Sequence, residues 1–164
     1  MANRDNANGF TFVRCLEGEA VILEATVGAL AVKKGDAVNM ESGLLVLSVA
    51  ADTKVYGIMA ADAAAEAQGK FYPAIPSYVF EVQVSSSLDF VAATHTNFAC
   101  PLEGTTGIME LNLTAEGTMQ FILWKLADAT VHNVTNIVAA HANVYCTIYQ
   151  SQFLGIPGAT QVHV

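Results

Sequence analysis

Histidine and cysteine are the residue types of this chain best suited to catalysis or metal binding, but their spacing predicts neither. No two histidines stand three or four residues apart, as two ligands on one helix face would, and no cysteines form a Cys-x-x-Cys pair. Motifs of the Gly-x-Ser-x-Gly, P-loop, dinucleotide-binding and His-Glu-x-x-His types are missing from the linear sequence. We therefore predict a protein that is not an enzyme and uses no cofactor or metal, with structural histidines and reduced, semi-buried cysteines: His95, His132, His141, His163, Cys15, Cys100 and Cys146.

Lys54 is the candidate for covalent attachment of a prosthetic group. Residues 32–38, 43–47 and 52–55 resemble the hammerhead hairpins of lipoyl and biotinyl carrier domains, which present a lysine on a tight turn. Here the turn is Ala-Asp-Thr-Lys-Val, not the lipoyl Asp-Lys-Ala or the biotinyl Met-Lys-Met core. A carrier that uses Lys54 is the less favoured alternative.

Charge is scarce and mostly negative. Charged residues make up 13% of the chain, against about 25% in an average soluble protein, and the net charge is −8. The longest apolar stretch, residues 20–32, is interrupted by Glu24, Thr26 and Gly28 and is shorter than the ~20 residues of a spanning helix. Six of the seven basic residues precede Phe71, whereas nucleic-acid binding needs clustered Lys and Arg. We expect neither a membrane nor a nucleic acid as partner.

The last 36 residues, which follow Asp128, contain no Asp, Glu, Lys or Arg. Solvent-facing positions normally carry charges at short intervals. We interpret this run as a surface that meets protein, which is typical of an assembly subunit.

Turn motifs separate short runs rich in Val, Ile, Leu, Phe and Tyr, a pattern typical of an all-β fold. We predict a hairpin-rich β-sandwich or β-tulip-like barrel with one or two short helices and extended termini. Residues 1–9 form a polar arm, 10–153 a single domain, and 154–164 a tail that adds a strand to a neighbour's sheet. The predicted strands are 10–14, 19–25, 37–40, 44–50, 55–59, 78–84, 108–114, 118–126 and 144–150, and the predicted helices are 60–69 and 130–142.

The clearest predicted hairpin joins residues 108–114 to 118–126 through a turn at Glu116 and Gly117. In its first arm Met109, Leu111 and Leu113 alternate with polar residues, which predicts one buried face. The second arm is apolar on both faces, with Phe121 and Leu123 on one and Ile122, Trp124 and Leu126 on the other. Either a central strand or a subunit contact explains it.

In the last strand Val144, Cys146 and Ile148 share one face, and Tyr145, Thr147 and Tyr149 share the other. Tyrosine combines apolar area with a hydroxyl, which suits interfaces and cross-strand pairs alike. The residues predicted to make protein contacts are Trp124, Tyr145, Tyr149, Phe153, Val162 and Val164.

A family resemblance lies in residues 27–84. Five elements follow one another in a set order: Lys34-Gly-Asp-Ala-Val38, a strand at 44–50, Val55-Tyr-Gly-Ile-Met-Ala60, an Ala-rich segment at 62–66, and Pro73 before a strand. This order resembles the small β-domain of tailed-phage capsid decoration, or cement, proteins.

The resemblance implies a structural virion protein that binds the outer surface of a phage capsid and stabilises the shell. Its partners would be the major capsid protein and copies of itself in a trimer, and it would be made in the host cytoplasm and reside on the capsid exterior. The alternative is another non-catalytic virion module, either a fibre or a carbohydrate-binding sandwich with Tyr72, Tyr78 and Trp124 available to a sugar.

Overall fold

The computed structural model describes residues 8–85, 95–113, 119–127 and 141–152. Paired strands dominate this part of the chain, and the predicted all-β, sandwich-like fold is confirmed; the described sheets form no closed barrel. The strands are β1 (Thr11–Cys15), β2 (Leu23–Thr26), β3 (Ala37–Glu41), β4 (Leu44–Leu47), β5 (Gly57–Met59), β6 (Gln68–Pro73), β7 (Tyr78–Gln83), β8 (Ala99–Cys100), β9 (Leu102–Glu103), β10 (Glu110–Leu111), β11 (Phe121–Leu126) and β12 (Asn143–Ile148).

Two five-stranded antiparallel sheets form the two layers. The first sheet has the order β1-β7-β12-β11-β8, and the second has the order β2-β6-β5-β3-β4. Strands β9 and β10 make a separate pair. Residues 27–84, which carry the family resemblance, contribute strands to both sheets, because β7 lies in the first sheet and β3 to β6 lie in the second.

The main core fills the space between the sheets. Alternate residues of β7, β11 and β12 point into it, including Phe80, Leu123 and Cys146, as expected for strands with a period of two. The second sheet contributes Ala37 and Ile58 to the same core. Met109, Leu111 and Leu113 are also buried in it, which confirms their predicted alternation.

A second core occupies the other face of the second sheet. Val38, Met59 and Phe71 point into it and pack against Val27, Val32 and Leu45. A single parallel bridge between Val27 and Leu45 brings the two edge strands of this sheet together, with Gly28 N donating to Leu45 O at 2.8 Å. The sheet is therefore strongly curled, so that the end of β2 approaches β4.

Trp124 is the extra residue of a β-bulge. Leu123 lies opposite Cys146 and Lys125 opposite Tyr145, so two steps on β11 match one step on β12. Leu126 was predicted to share a face with Trp124, and this prediction is wrong. Because of the bulge, Leu126 packs against the main core, whereas Trp124 lies on the outer face.

The hairpin predicted between residues 108–114 and 118–126 is wrong. Strand β10 pairs with β9, and β11 lies between β8 and β12. Phe121 meets Cys100 on one side and Ile148 on the other, which places it in the main core. Long-range packing of this central strand overrides the short connection that favoured a hairpin.

The helix predicted at 60–69 is wrong, and the predicted helix at 130–142 lies outside the described residues except at its end. Ala63 forms an antiparallel bridge with Val32, and Asp62 accepts hydrogen bonds from Lys34 N (2.8 Å) and Lys33 Nζ (3.1 Å). Strand β6 then begins at Gln68. The Ala63 N–H and carbonyl both bond to the Val32 backbone (3.0 Å each), and Glu66 N donates to Gly28 O (3.0 Å), so these backbone groups find partners outside the segment instead of in a helix.

Candidate interaction surface

Two of the predicted contact residues, Trp124 and Tyr145, meet on the outer face of the first sheet. They pack with Val13, Val79 and Ala127 in a small cluster on the side opposite the main core. The bulge at Trp124 allows this, because Trp124 and Lys125 both lie opposite Tyr145. Lys125 Nζ stands 5.4 Å from the centre of the Tyr145 ring, within cation–π distance.

This outer face is already covered within the chain. Tyr145 is only 5% exposed, and the neighbouring Glu81 and Thr147 are also 5% exposed. Tyr145 lies opposite Glu81, which in turn lies opposite Thr11, so one row of side chains crosses the sheet from β1 to β11. Among the predicted contact residues of this face, the half-buried Trp124 retains more exposed surface than Tyr145.

Tyr149 is half-buried just beyond β12, where its backbone N–H donates to Gln120 O at 2.7 Å. It therefore lies apart from the cluster formed by Trp124 and Tyr145. The other predicted contact residues, Phe153, Val162 and Val164, lie outside the described residues.

The charge-free C-terminal run has a different origin from the one predicted, at least over residues 141–152. Strand β12 is the middle strand of the first sheet, and both of its faces are buried. A strand covered on both sides favours apolar side chains, because burying a charged one costs free energy. In this stretch the lack of charge reflects the interior of the subunit, not a surface for another protein.

Residues 150–152 continue from β12 onto the second sheet. Gln150 O accepts from Val55 N (3.0 Å), and Gln152 N donates to Val55 O (2.8 Å). The side chain of Gln152 accepts from Met40 N (2.8 Å) and donates to Met40 O (2.9 Å), and Ser151 Oγ donates to Ala74 O (2.6 Å). This segment ties the two sheets together.

Gln120 is a second buried connection. Its Oε1 accepts from Leu102 N (2.7 Å), and its Nε2 donates to Val49 O (3.0 Å) and Asp52 O (2.8 Å). The fully buried amide therefore joins β9 to the segment between β4 and β5.

Asp36 joins the second sheet to residues 104–108. Its carboxylate accepts from Lys33 N (2.8 Å) through Oδ2 and from Gly107 N (2.7 Å) through Oδ1. Burial is the main influence on this group and raises the pKa of Asp36, although the two backbone bonds and the Lys33 charge oppose the rise and the nearby Asp62 adds to it. Asp36 thus fixes the loop that contains Gly107, which lies 71 residues further along the chain.

Two of the three aromatic residues considered for a sugar site, Tyr72 and Tyr78, are used in the main core. Tyr72 and Tyr78 do come together, with ring centroids 6.4 Å apart, but Phe12 stacks on Tyr72 at 4.5 Å. Tyr78 is buried, and its hydroxyl accepts from Val21 N. Trp124 lies on the opposite face of the first sheet.

Lys54 is half-buried and lies in the connection between β4 and β5. These strands are not neighbours, because β3 lies between them. Lys54 is therefore not displayed at the tip of a hairpin, as the carrier resemblance implies.

Cys100 and Cys146 are buried, more deeply than predicted, whereas Cys15 is half-buried. Burial raises the pKa of both buried thiols well above the ordinary value. Across the described ranges, no group of three or more His, Cys, Asp and Glu side chains could hold a metal ion.

The connection between β1 and β2 carries three of the seven exposed large apolar side chains of the described residues, whereas Leu30 (76%), Leu44, Val49 and Ile108 are exposed elsewhere. Residues 16–22, which we call the β1–β2 loop, are all exposed, and Leu16 (48%), Val21 (50%) and Ile22 (48%) lie within it. Sequence analysis missed this loop because 19–25 was predicted as one strand, whereas β2 begins at Leu23. The available signal was Gly18 between Glu17 and Glu19, a polar break that the strand prediction placed at its edge.

Comparison with known proteins matches no family model and no curated protein. In the part of the chain that the structure describes, no helix is long and apolar enough to cross a membrane.

Proposed function

We propose that this protein is a structural virion subunit that binds the outer surface of a phage capsid and stabilises the shell, assembling there as a trimer. The observation that carries the proposal is the β1–β2 loop, an exposed segment with three large apolar side chains on a rigid sandwich. Three exposed apolar side chains within seven consecutive residues are typical of a segment that contacts another protein. The order of elements in residues 27–84, which resembles capsid decoration proteins, supports the same role.

The fold also suits a subunit with a purely structural role. Specific polar contacts join the sheets, namely the half-buried Gln152 amide on Met40 and the buried Gln120 amide between β9 and the β4–β5 segment. Satisfied polar contacts of this kind rigidify a domain. A rigid domain loses little conformational entropy when it is fixed to a shell.

The test is to mix the purified chain with mature, undecorated capsids of the phage whose genome encodes it and to image the particles by electron cryomicroscopy. We expect added density at threefold or quasi-threefold positions on the outer surface. Bare shells at saturating protein concentration would reject the proposal.

A fibre or other non-catalytic virion module is the second candidate. The same exposed loop favours this candidate, but such a module would bind a part of the virion other than the shell. The carbohydrate-binding form of this candidate has less support, since Tyr78 lies in the core and Trp124 lies on another face. The Lys54 carrier also has less support, and an intact mass without a lipoyl or biotinyl increment would remove it.

A further inference from the structure

We propose that the β1–β2 loop is the docking element of this protein, and that it fits a protein surface with an apolar depression bordered by Lys or Arg side chains. The inference rests on the proposed structural role and adds to it the contact surface and the chemistry of the partner.

The loop concentrates apolar side chains outside the core. Leu16, Val21 and Ile22 each expose about half of their surface, whereas the apolar residues of the adjoining strand β7 are buried. Covering these three side chains would remove apolar area from water, which is the main favourable contribution to protein association.

The loop is held in place at both ends before any partner binds. Leu16 N donates to Ser77 O (2.8 Å), and Val21 N donates to Tyr78 Oη (2.7 Å). The two anchors belong to consecutive residues, the Ser77 carbonyl just before β7 and the Tyr78 hydroxyl at its first residue. Cys15 Sγ also donates to Glu17 O (2.8 Å). A loop fixed in this way loses less conformational entropy on binding than a free one.

Charge identifies the class of partner. The ionisable side chains within the loop are Glu17 and Glu19, both exposed. The nearest basic residue in sequence, Arg14, lies in β1, and Glu24 beyond the loop is paired with Lys70 at 3.5 Å. Two carboxylates beside apolar side chains disfavour nucleic acid and anionic membranes. They also disfavour the same loop on a second copy, because its Glu17 and Glu19 would face like charges. A protein surface with basic residues around an apolar centre complements the loop.

The test compares two double variants with equal net charge. Glu17→Lys with Glu19→Lys reverses the loop charge, and Glu41→Lys with Glu103→Lys reverses two other exposed glutamates, at the end of β3 and in β9. Both variants keep the core intact, and thermal unfolding checks that each is folded. In co-sedimentation with undecorated capsids, we expect the loop variant to bind roughly tenfold more weakly than the control variant, because like charges across an interface are strongly unfavourable. Equal binding by the two variants would overturn the loop inference and leave the proposed function standing.

A second arm tests the loop even if the wild-type chain fails to bind capsids, which would reject the proposed function. Each protein is eluted with salt from a resin that carries phenyl and quaternary ammonium groups, a probe with the predicted chemistry. The loop inference expects the Glu17→Lys, Glu19→Lys variant to elute at lower salt than the Glu41→Lys, Glu103→Lys variant. Elution of both variants at the same salt concentration would overturn the inference, because the loop would then bind the resin no more strongly than other acidic parts of the surface.

Discussion

The side-chain amide of Gln152 forms both hydrogen bonds of a β-ladder pair with the backbone of Met40, accepting from Met40 N at 2.8 Å and donating to Met40 O at 2.9 Å. Strand β5 pairs with β3 only at Ala37 and Val38, so it does not reach this part of β3. One glutamine side chain thus continues the second sheet and attaches the chain after β12 to it.

Replacing Gln152 with Ala should lower the free energy of unfolding by about 1–3 kcal/mol, because both Met40 backbone groups lose their partner. Urea denaturation measures the change. Gln68→Ala is the matched control, since the Gln68 amide makes an exposed hydrogen bond to Thr26 Oγ1 and its loss should cost less than about 0.5 kcal/mol. Equal effects of the two substitutions would contradict the role of Gln152 as a connection between the sheets.

Replacing Gln120 with Leu should be more severe, with a loss of about 3 kcal/mol or more, because the buried Leu102 N–H and two partly buried carbonyls, Val49 O and Asp52 O, lose a partner. Gln120→Glu keeps an oxygen that accepts from Leu102 N. It replaces the NH₂ group, which donates to the Val49 and Asp52 carbonyls, with a second oxygen that cannot donate. Its stability deficit relative to wild type should therefore shrink in acid, where a protonated carboxyl can donate once. A deficit that does not change with pH would contradict this geometry.

Asp36 should make stability fall as pH rises above the ordinary carboxyl pKa. Since burial raises its pKa in the folded state, the folded chain holds this proton more tightly than the unfolded chain. The quantity to measure is the free energy of unfolding of wild type minus that of Asp36→Asn. This difference should decrease between pH 3.8 and the raised pKa and stay level at higher pH.

Asp62→Asn is the control of opposite sign. The hydrogen bonds from Lys34 N and Lys33 Nζ lower the pKa of Asp62, so its contribution is present above pH 3.8 and is lost as pH falls through the lowered value. Slopes of the same sign for the two differences would refute the assignment for Asp36. Asp36→Asn should also cost about 1–3 kcal/mol at neutral pH, because its NH₂ group cannot accept from one of the two backbone donors.

Lys125 and Tyr145 should show a measurable coupling. A double-mutant cycle with Lys125→Met and Tyr145→Leu should give about 0.5 kcal/mol, as expected for a cation–π contact whose lysine is exposed. Chemical denaturation of the four proteins provides the values. A coupling energy of zero would mean that the ring and the ammonium group act independently.

Gly57→Ala should strongly destabilise the chain, by about 2 kcal/mol or more, because a Cβ at this position would lie 2.5 Å from both Phe71 Cδ2 and Tyr72 O. Gly18→Ala is the comparison in the β1–β2 loop. No atom lies within 4 Å of a Cβ there, and the cost is the strain of φ +74° alone, about 1 kcal/mol. The melting temperature should fall further for Gly57→Ala, and the reverse order would contradict the close approach of β5 and β6.

The alternation of side chains in the long strands was predictable because it is a local property. A strand with a period of two must place Phe121 with Leu123, and Val144 with Cys146, on one face, whatever lies beside it. The all-β class follows from the same local patterns and from the turns between them. Local sequence could not place the bulge at Trp124, since that residue is extra only relative to the register of β12.

By itself, the sequence determined the fold class, most of the strand positions and the shortage of charge. Only the tertiary structure decided which strands are neighbours, that β11 joins β8 and β12 instead of folding back on β10, and that β12 is charge-free because it is the buried middle strand. It also decided that Leu16, Val21 and Ile22 stay in solvent. The physical reason is that an apolar side chain has the same local preference whether its own chain or another protein covers it, and only long-range packing selects between the two.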